Sequence, residues 1–178
     1  MHIIFEGIDN VGKTTQIQKI QKYLYDKPIH KLHYSNFKDL NKNILDYSKQ
    51  VYNQMVDLLN NDKYNLILDR AHLGEYVYGK KYRNYTDEEC EYVFELEKKI
   101  KCDVRLIVLI DSSNGSLLRD DGLSLSIKKI DRLEEIERFK IAFKKSNIKN
   151  KILIDIKNKS INDVYNIIIN FLFIDKRK

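Results

Sequence analysis

Residues 2–15 read HIIFEGIDNVGKTT, an apolar run that breaks at a glycine and resumes with a lysine and two threonines. His2 to Glu6 has the length and composition of a buried strand, and the apolar spacing from about Lys13 to Tyr25 is helical. Between them, Gly7-Ile8-Asp9-Asn10-Val11-Gly12-Lys13-Thr14 matches the pattern G-x-x-x-x-G-K-[ST] in full. A strand, this loop and a helix together place backbone N–H groups around one concavity, and the helix N-terminus adds partial positive charge. The segment therefore predicts a phosphate-binding loop. Lys13 can reach β- and γ-phosphate oxygens as a point charge, and the Thr14 hydroxyl can ligate a magnesium ion.

Outward from this segment the chain alternates short strands with longer helices. Ile29 to Tyr34 and Leu66 to Leu68 read as strands, Val104 to Ile110 is the strongest strand pattern, and Lys151 to Ile156 is the last. Helical spacing covers Asn43 to Leu59 through Ile44, Tyr47, Val51, Met55 and Leu58, and recurs over Asp131 to Lys145. Thr86 with Glu89 and Ser160 with Asp163 have capping-box spacing for helices reaching about Ile100 and Phe173. The single proline, Pro28, ends the first helix. Strands joined by helices of this length predict an α/β fold: a doubly wound, five-stranded parallel sheet with helices on both faces. Such sheets bind ligands beyond the carboxyl ends of their strands. There, after Leu68, stands Asp69-Arg70, an acid able to hold a metal's water and a base able to stabilise charge on a transferring phosphoryl group. The Ser-, Gly- and Asp-rich stretch at about 112–128 reads as a short lid.

Composition bounds the partners. The 178 residues suit one domain spanning 1–178, and 43% hydrophobic residues suit a packed core. No apolar run of roughly eighteen residues occurs, so no membrane partner is expected. Cys90 and Cys102 match neither a disulfide framework nor zinc-ligand spacing, which fits a reducing cytoplasm. The net charge of +6 raises the question of a nucleic-acid partner. Yet the 25 Lys, 7 Arg, 24 Ile and 16 Asn look like the codon bias of an AT-rich genome, and the basic residues are scattered rather than striped. Small-molecule nucleotides fit the acidic partner better than nucleic acid. The N-K-x-D tetrapeptide with which regulatory GTPases read guanine does not occur, which argues against a switch protein.

FEGIDNVGKTT at residues 5–15, LILDR at 66–70, AHLGEYVYG at 71–79 and the polar lid segment resemble the thymidylate kinase family of nucleoside monophosphate kinases. The pairing of VYG with DR resembles the small deoxynucleotide kinases of bacteria and their phages. The resemblance implies ATP as donor, with its phosphates on Gly7, Asn10, Val11, Gly12, Lys13, Thr14 and Thr15, and Mg2+ on Thr14 and Asp69. It implies Asp9 near the acceptor sugar's 3′-hydroxyl or the metal, Arg70 clamping phosphates, Glu75 at the base edge and Tyr78 crowding the sugar C2′. Glu75 departs from the neutral amide common at that place. A carboxylate only accepts hydrogen bonds, so it suits a base edge that offers N–H donors. With no base among Ile8 to Val11, the lid must supply the further charge: Arg119 foremost, then Lys128 and Lys129. Lys38 could touch the acceptor phosphate, and Tyr47 or Tyr52 could stack on the base. A homodimer is implied as well.

The expected reaction is transfer of the ATP γ-phosphoryl group to a deoxynucleoside 5′-monophosphate, dTMP or another. The alternative is a deoxynucleoside kinase acting on a 5′-hydroxyl, which profits from a carboxylate base. In the related nucleoside kinases that base follows the second strand, where this chain reads Tyr34-Ser35-Asn36-Phe37-Lys38. A non-catalytic nucleotide- or nucleic-acid-binding module is the alternative of another class.

Overall fold

The computed structural model of the chain describes residues 1–24, 29–33, 44–61, 63, 65–113, 115–119 and 128–173, with the backbone alone for 29–33. In chain order the elements are β1 (His2–Gly7), α1 (Lys13–Tyr23), β2 (Ile29–His33), α2 (Ile44–Leu59), β3 (Asn65–Asp69), α3 (Leu73–Arg83) and α4 (Asp87–Glu97). There follow β4 (Val104–Ile110), a 3₁₀ turn at Leu117–Arg119, α5 (Lys129–Lys145), β5 (Asn150–Asp155) and α6 (Ile161–Phe173).

The strands form one sheet in the order β2-β3-β1-β4-β5, and every neighbouring pair is parallel. β1 lies at the centre, with Ile3 opposite Ile67 of β3 and Ile4 opposite Leu106 of β4. Every residue of β1 and β4 is buried, although successive side chains point to opposite faces, so both faces are covered. α1 packs on α6, while α3 packs on α4 and α5, and α2 on α4. α2 shows why such helices form: Ser48, Tyr52, Met55, Val56 and Leu59 are its buried residues, spaced on one helical stripe. Each large apolar side chain so buried contributes about 1.5–3 kcal/mol. No described helix is long and apolar enough to cross a membrane.

Both capping boxes form. Glu89 N–H donates to Thr86 Oγ1 at 3.1 Å while Thr86 N–H donates to Glu89 Oε2 at 2.8 Å, and Ser160 and Asp163 make the corresponding pair at 3.1 and 2.8 Å. α4 nevertheless stops at Glu97 rather than Ile100, because Lys99 and Ile100 donate to carbonyls three residues back and the last turn tightens. α5 begins two residues before the expected Asp131, at Lys129.

α3 is the element that local sequence does not announce. Its N-cap, His72, makes no side-chain capping bond. Instead Glu6, at the end of β1, accepts from Ala71 N–H at 3.0 Å and Gly74 N–H at 3.2 Å. His72 pairs its Nε2 with Glu97 Oε1 of α4 at 2.8 Å, and both side chains are fully enclosed. The helix is thus fastened by partners far away in the sequence. Tyr25, Pro28, Tyr34 to Asn43 and the lid's 120–127 lie outside the described residues.

Candidate active site

The chain runs from β1 to the edge at β2, returns beside β1 as β3, and then crosses to β4 on the other side. The carboxyl ends of β1, β3 and β4 therefore open onto one place. The loop after β1 turns on two glycines. Gly7 has φ +134, and a Cβ there would stand 2.0 Å from the Leu109 carbonyl oxygen of β4. Gly12 caps α1 in the left-handed region, at φ 80.

A cleft of about 800 Å3 lies over this loop. Its floor is Gly12, Lys13, Thr14 and Thr15, with Asn10 and Val11 at the side, as expected for a phosphate site at a helix N-terminus. Asp69 and Arg70 line it from β3, Asp111, Ser113 and Arg119 from beyond β4, and Asn158 to Ile161 from the loop before α6. Asp69, Arg70 and Arg119 were legible in the sequence, whereas Asp111 and Ser113 were not singled out there. Nor was the β5–α6 loop, since nothing in its composition speaks for a ligand.

Lys13 is buried and its Nζ donates to the carbonyls of Gly7 at 2.9 Å and Ile8 at 2.6 Å. Burial, reinforced by the nearby Arg70 charge, pushes its ammonium down to about 7, against the raising effect of Asp9, Asp69 and Glu6. Thr14 Oγ1 donates to Asp69 Oδ2 at 3.0 Å. One hydroxyl and one carboxylate are hard oxygen donors, which fits a magnesium ion held largely by water and nucleotide phosphates.

Arg70 sits at φ 71, a left-handed conformation that few side chains adopt. The backbone is held there partly by its N–H, which donates to Phe5 O at 2.9 Å. The side chain turns back over the loop and its Nη2 donates to Asp9 Oδ1. Burial alone would raise the Asp9 carboxyl, but Arg70 and Lys13 outweigh it and hold the group below its usual range.

Arg119 reaches the same loop: its Nε donates to Asn10 O at 3.2 Å and its Nη2 to Asp111 Oδ2 at 3.2 Å. Lys128 and Lys129 are exposed. The cation that sequence reading missed is Arg132, fully buried on the first turn of α5. Its Nη1 lies 3.5 Å from Asp9 O and 3.4 Å from Glu135 Oε2. Its signal was scarcity, as one of only seven arginines.

The expected acceptor residues divide. Tyr78 is buried beside this charged group. Its ring is T-shaped to Phe139 at 5.9 Å and its hydroxyl makes no hydrogen bond among the described residues. Burial, with the charges of Glu135 and Asp9, pushes its phenol well above the ordinary value. Glu75 does not line the cleft; it is buried, and Arg83 Nη1 donates to its Oε2 at 2.7 Å. Burial raises the Glu75 carboxyl while Arg83 opposes the shift. Arg83, like Arg132, was not foreseen. Tyr52 is buried near Glu75, whereas Tyr47 is exposed. Lys38 lies outside the described residues.

The architecture is that of the thymidylate kinase-like nucleoside monophosphate kinase fold, with a loop turning on Gly7 and Gly12 after its central strand. Among solved structures it is similar to the YorR protein of Bacillus subtilis in complex with phosphorylated GDP, with TM-score 0.69 and 21% identity over 100% of this chain and 99% of that one. It is similar to thymidylate kinase from Candida albicans, with TM-score 0.68 and 16% identity over 98% of this chain and 92% of that one. It is also similar to deoxyadenosine kinase from M. mycoides, with TM-score 0.62 and 17% identity over the full length of both. No family model and no curated protein matches the chain.

Proposed function

We propose that the chain is an ATP-dependent kinase of deoxynucleoside 5′-monophosphates that yields the diphosphate. The observation that carries this reading is the convergence of Lys13, Thr14, Asp69 and Arg70 at the ends of two adjacent parallel strands, over a cleft of nucleotide size. Backbone N–H groups of the loop and Lys13 hold the donor's β- and γ-phosphates. Thr14 and, through water, Asp69 would hold magnesium, which would supply charge neutralisation for the phosphates. Arg70 leaves Asp9 to span the γ-phosphoryl group and the acceptor phosphate, and Arg119 and Arg132 close on the same charge from the far side. The bond from the γ phosphorus to the bridging oxygen breaks as one forms to an acceptor phosphate oxygen. That oxygen is already ionised, so positioning and charge neutralisation suffice and no general base is needed. Asp9, once Arg70 has left it, would orient the sugar rather than take a proton.

The acceptor phosphate is what separates this reading from a deoxynucleoside kinase, and the lack of Asp or Glu over residues 34–38 favours it. Neighbours of the fold include proteins named for each substrate, a thymidylate kinase and a deoxyadenosine kinase. The test is turnover of dNMPs and of deoxynucleosides side by side with ATP and magnesium. Phosphorylation of the monophosphates is expected; turnover confined to the unphosphorylated acceptors would overturn the reading. DNA binding with a steep salt dependence and no phosphorylation of either would favour the nucleic-acid-binding alternative.

A further inference from the structure

β4 is apolar and buried throughout, from Val104 to Ile110, and Asp111 is the first polar residue after it. Asp111 is 1% exposed and lines the cleft at the carboxyl end of the strand. Its Oδ1 accepts from Ser113 N–H at 3.0 Å and from Ser113 Oγ. Its Oδ2 accepts from Ser116 N–H at 2.7 Å and from Arg119 Nη2 at 3.2 Å. A carboxylate has about four lone-pair sites, and these donors fill them. Asp111 therefore keeps no lone pair for a metal ion or a substrate, although it stands in the cleft wall. What it holds is the chain itself. Ser113, Ser116 and Arg119 are gathered on one carboxylate, and the 3₁₀ turn closes through Arg119 N–H to Ser116 O at 3.3 Å.

Apolar packing does not place this turn. None of its residues is buried, and Leu118 is 91% exposed. The Arg119 side chain is 54% exposed, and a long side chain in such a position ordinarily keeps its rotamer freedom. Here two acceptors fix it: Asp111 on one side and, on the other, the Asn10 carbonyl, which takes Nε–H at 3.2 Å. A guanidinium has five N–H donors in a rigid fork, so Nη1 remains for a ligand. It makes no hydrogen bond among the described residues.

We propose that Asp111 is a positioning residue for phosphoryl transfer: it holds Arg119 against the loop after β1 before the nucleotide arrives, so that the guanidinium meets the phosphates with its geometry already set. The inference rests on the kinase reading above. Charge fixed in advance stabilises a transition state most, because nothing has to rearrange as the new charge develops. Asp111 itself touches no nucleotide and acts through Arg119 alone.

A double-mutant cycle reads this directly. Asp111→Asn keeps one carbonyl oxygen for Ser113 N–H, as Asn does in such turns, but puts an amide NH2 where Ser116 and Arg119 now donate. Ser112 N–H, which donates to Asp155 Oδ1 at 3.1 Å, still ties the segment to β5. With ATP, magnesium and dNMP acceptors, Asp111→Asn should lower kcat/KM about tenfold or more, the size of one lost hydrogen bond between charged groups. In the Arg119→Met background the same substitution should change kcat/KM less than about twofold. A residue that only folded the turn would lower it by a similar factor in both. An equal fall in the two backgrounds, no fall in either, or an Arg119→Met variant as active as the unaltered chain overturns the proposal and leaves the kinase reading standing. Should Asp111→Asn fail to fold, Asp111→Ser takes its place, with a hydroxyl that can still accept Ser113 N–H. Failure of both assigns Asp111 to stability alone and overturns the proposal as well. Turnover confined to deoxynucleosides would defeat the monophosphate reading, and the cycle is then read on those acceptors. Without any turnover the kinase reading falls, and ATP dissociation constants decide. A weakening by Asp111→Asn that vanishes in the Arg119→Met background supports the positioning role, and equal weakening in both, or none, overturns it.

Discussion

At the carboxyl end of β1, Lys13, Thr14 and Asp69 border a cleft of about 800 Å3, whereas Glu75 and Arg83 on α3 are enclosed among the side chains of α2 and Tyr85. The first group holds temporary partners. Lys13 bonds its own loop carbonyls and Arg70 bonds Asp9, and a phosphate can replace each of these with a stronger, charge-assisted contact. The second group holds a partner of full opposite charge with little access to water. The donor end is thus arranged for exchange and the α3 face for retention. If that contrast is right, removing a charge from the donor end should cost turnover more than stability, and cutting the fastening of α3 should cost both.

The largest effect is expected from Lys13→Ala, a fall in turnover of about 10²–10³-fold, as for loss of one preorganised group that stabilises transition-state charge. The thermal melting temperature should change little, since Lys13 is buried at a cost offset only by two carbonyls and nearby carboxylates. Steady-state kinetics with a melting curve checks this. Turnover within a few-fold of the unaltered chain would contradict the phosphate role and erase the contrast from the donor side.

Glu6→Ala probes the other side. It removes the acceptor of the Ala71 and Gly74 N–H groups and leaves both without their partner, a loss of about 1–3 kcal/mol for each group that stays buried. Because Arg70 directly precedes Ala71, turnover should fall together with stability, as chemical denaturation and kinetics on one preparation would show. A variant as stable as the parent would mean that α3 is fastened chiefly through His72 and Glu97 instead.

These two residues also mark how far the sequence could be read. The donor end is written in one contiguous segment: Gly7 and Gly12 have the left-handed or crowded positions that only glycine suits, and Lys13 and Thr14 follow at fixed offsets. Asp69-Arg70 was legible from its place at a strand end. α3 has no local start signal, because its cap is Glu6 of β1, and the apolar spacing in AHLGEYVYG is short and broken by two glycines. Arg132 looked like one charge on a charged helix. Only folding brings it beside Asp9, so its role depends on a contact between residues more than a hundred positions apart. The Glu75–Arg83 pair is hidden for another reason: a spacing of eight exceeds the three or four at which helical side chains are read as neighbours.

The smallest expected effect tests whether the donor end exchanges partners at all. In the free chain the Lys13 ammonium is pushed down to about 7 from its ordinary 10.5. Phosphates placed around it favour the charged form and raise it again. Between about 7 and the raised value, the bound chain therefore holds more protons than the free one, so binding takes up a proton and affinity weakens as pH rises. ATP dissociation constants measured from about pH 8 to about pH 9, where nucleotide phosphates are already ionised, should increase with pH by at most about tenfold per unit. Calorimetry in two buffers of different ionisation enthalpy should show the same proton uptake directly. The stability of the free chain carries the opposite mark of this group: the unfolded lysine binds its proton below about 10.5 and the folded one only near 7, so the contribution falls as pH drops through that window. An affinity flat across the range, in a chain whose Lys13→Ala variant has lost turnover, would mean that Lys13 is charged before the nucleotide arrives. The donor end would then resemble the α3 face, with its charge already held and nothing exchanged on binding.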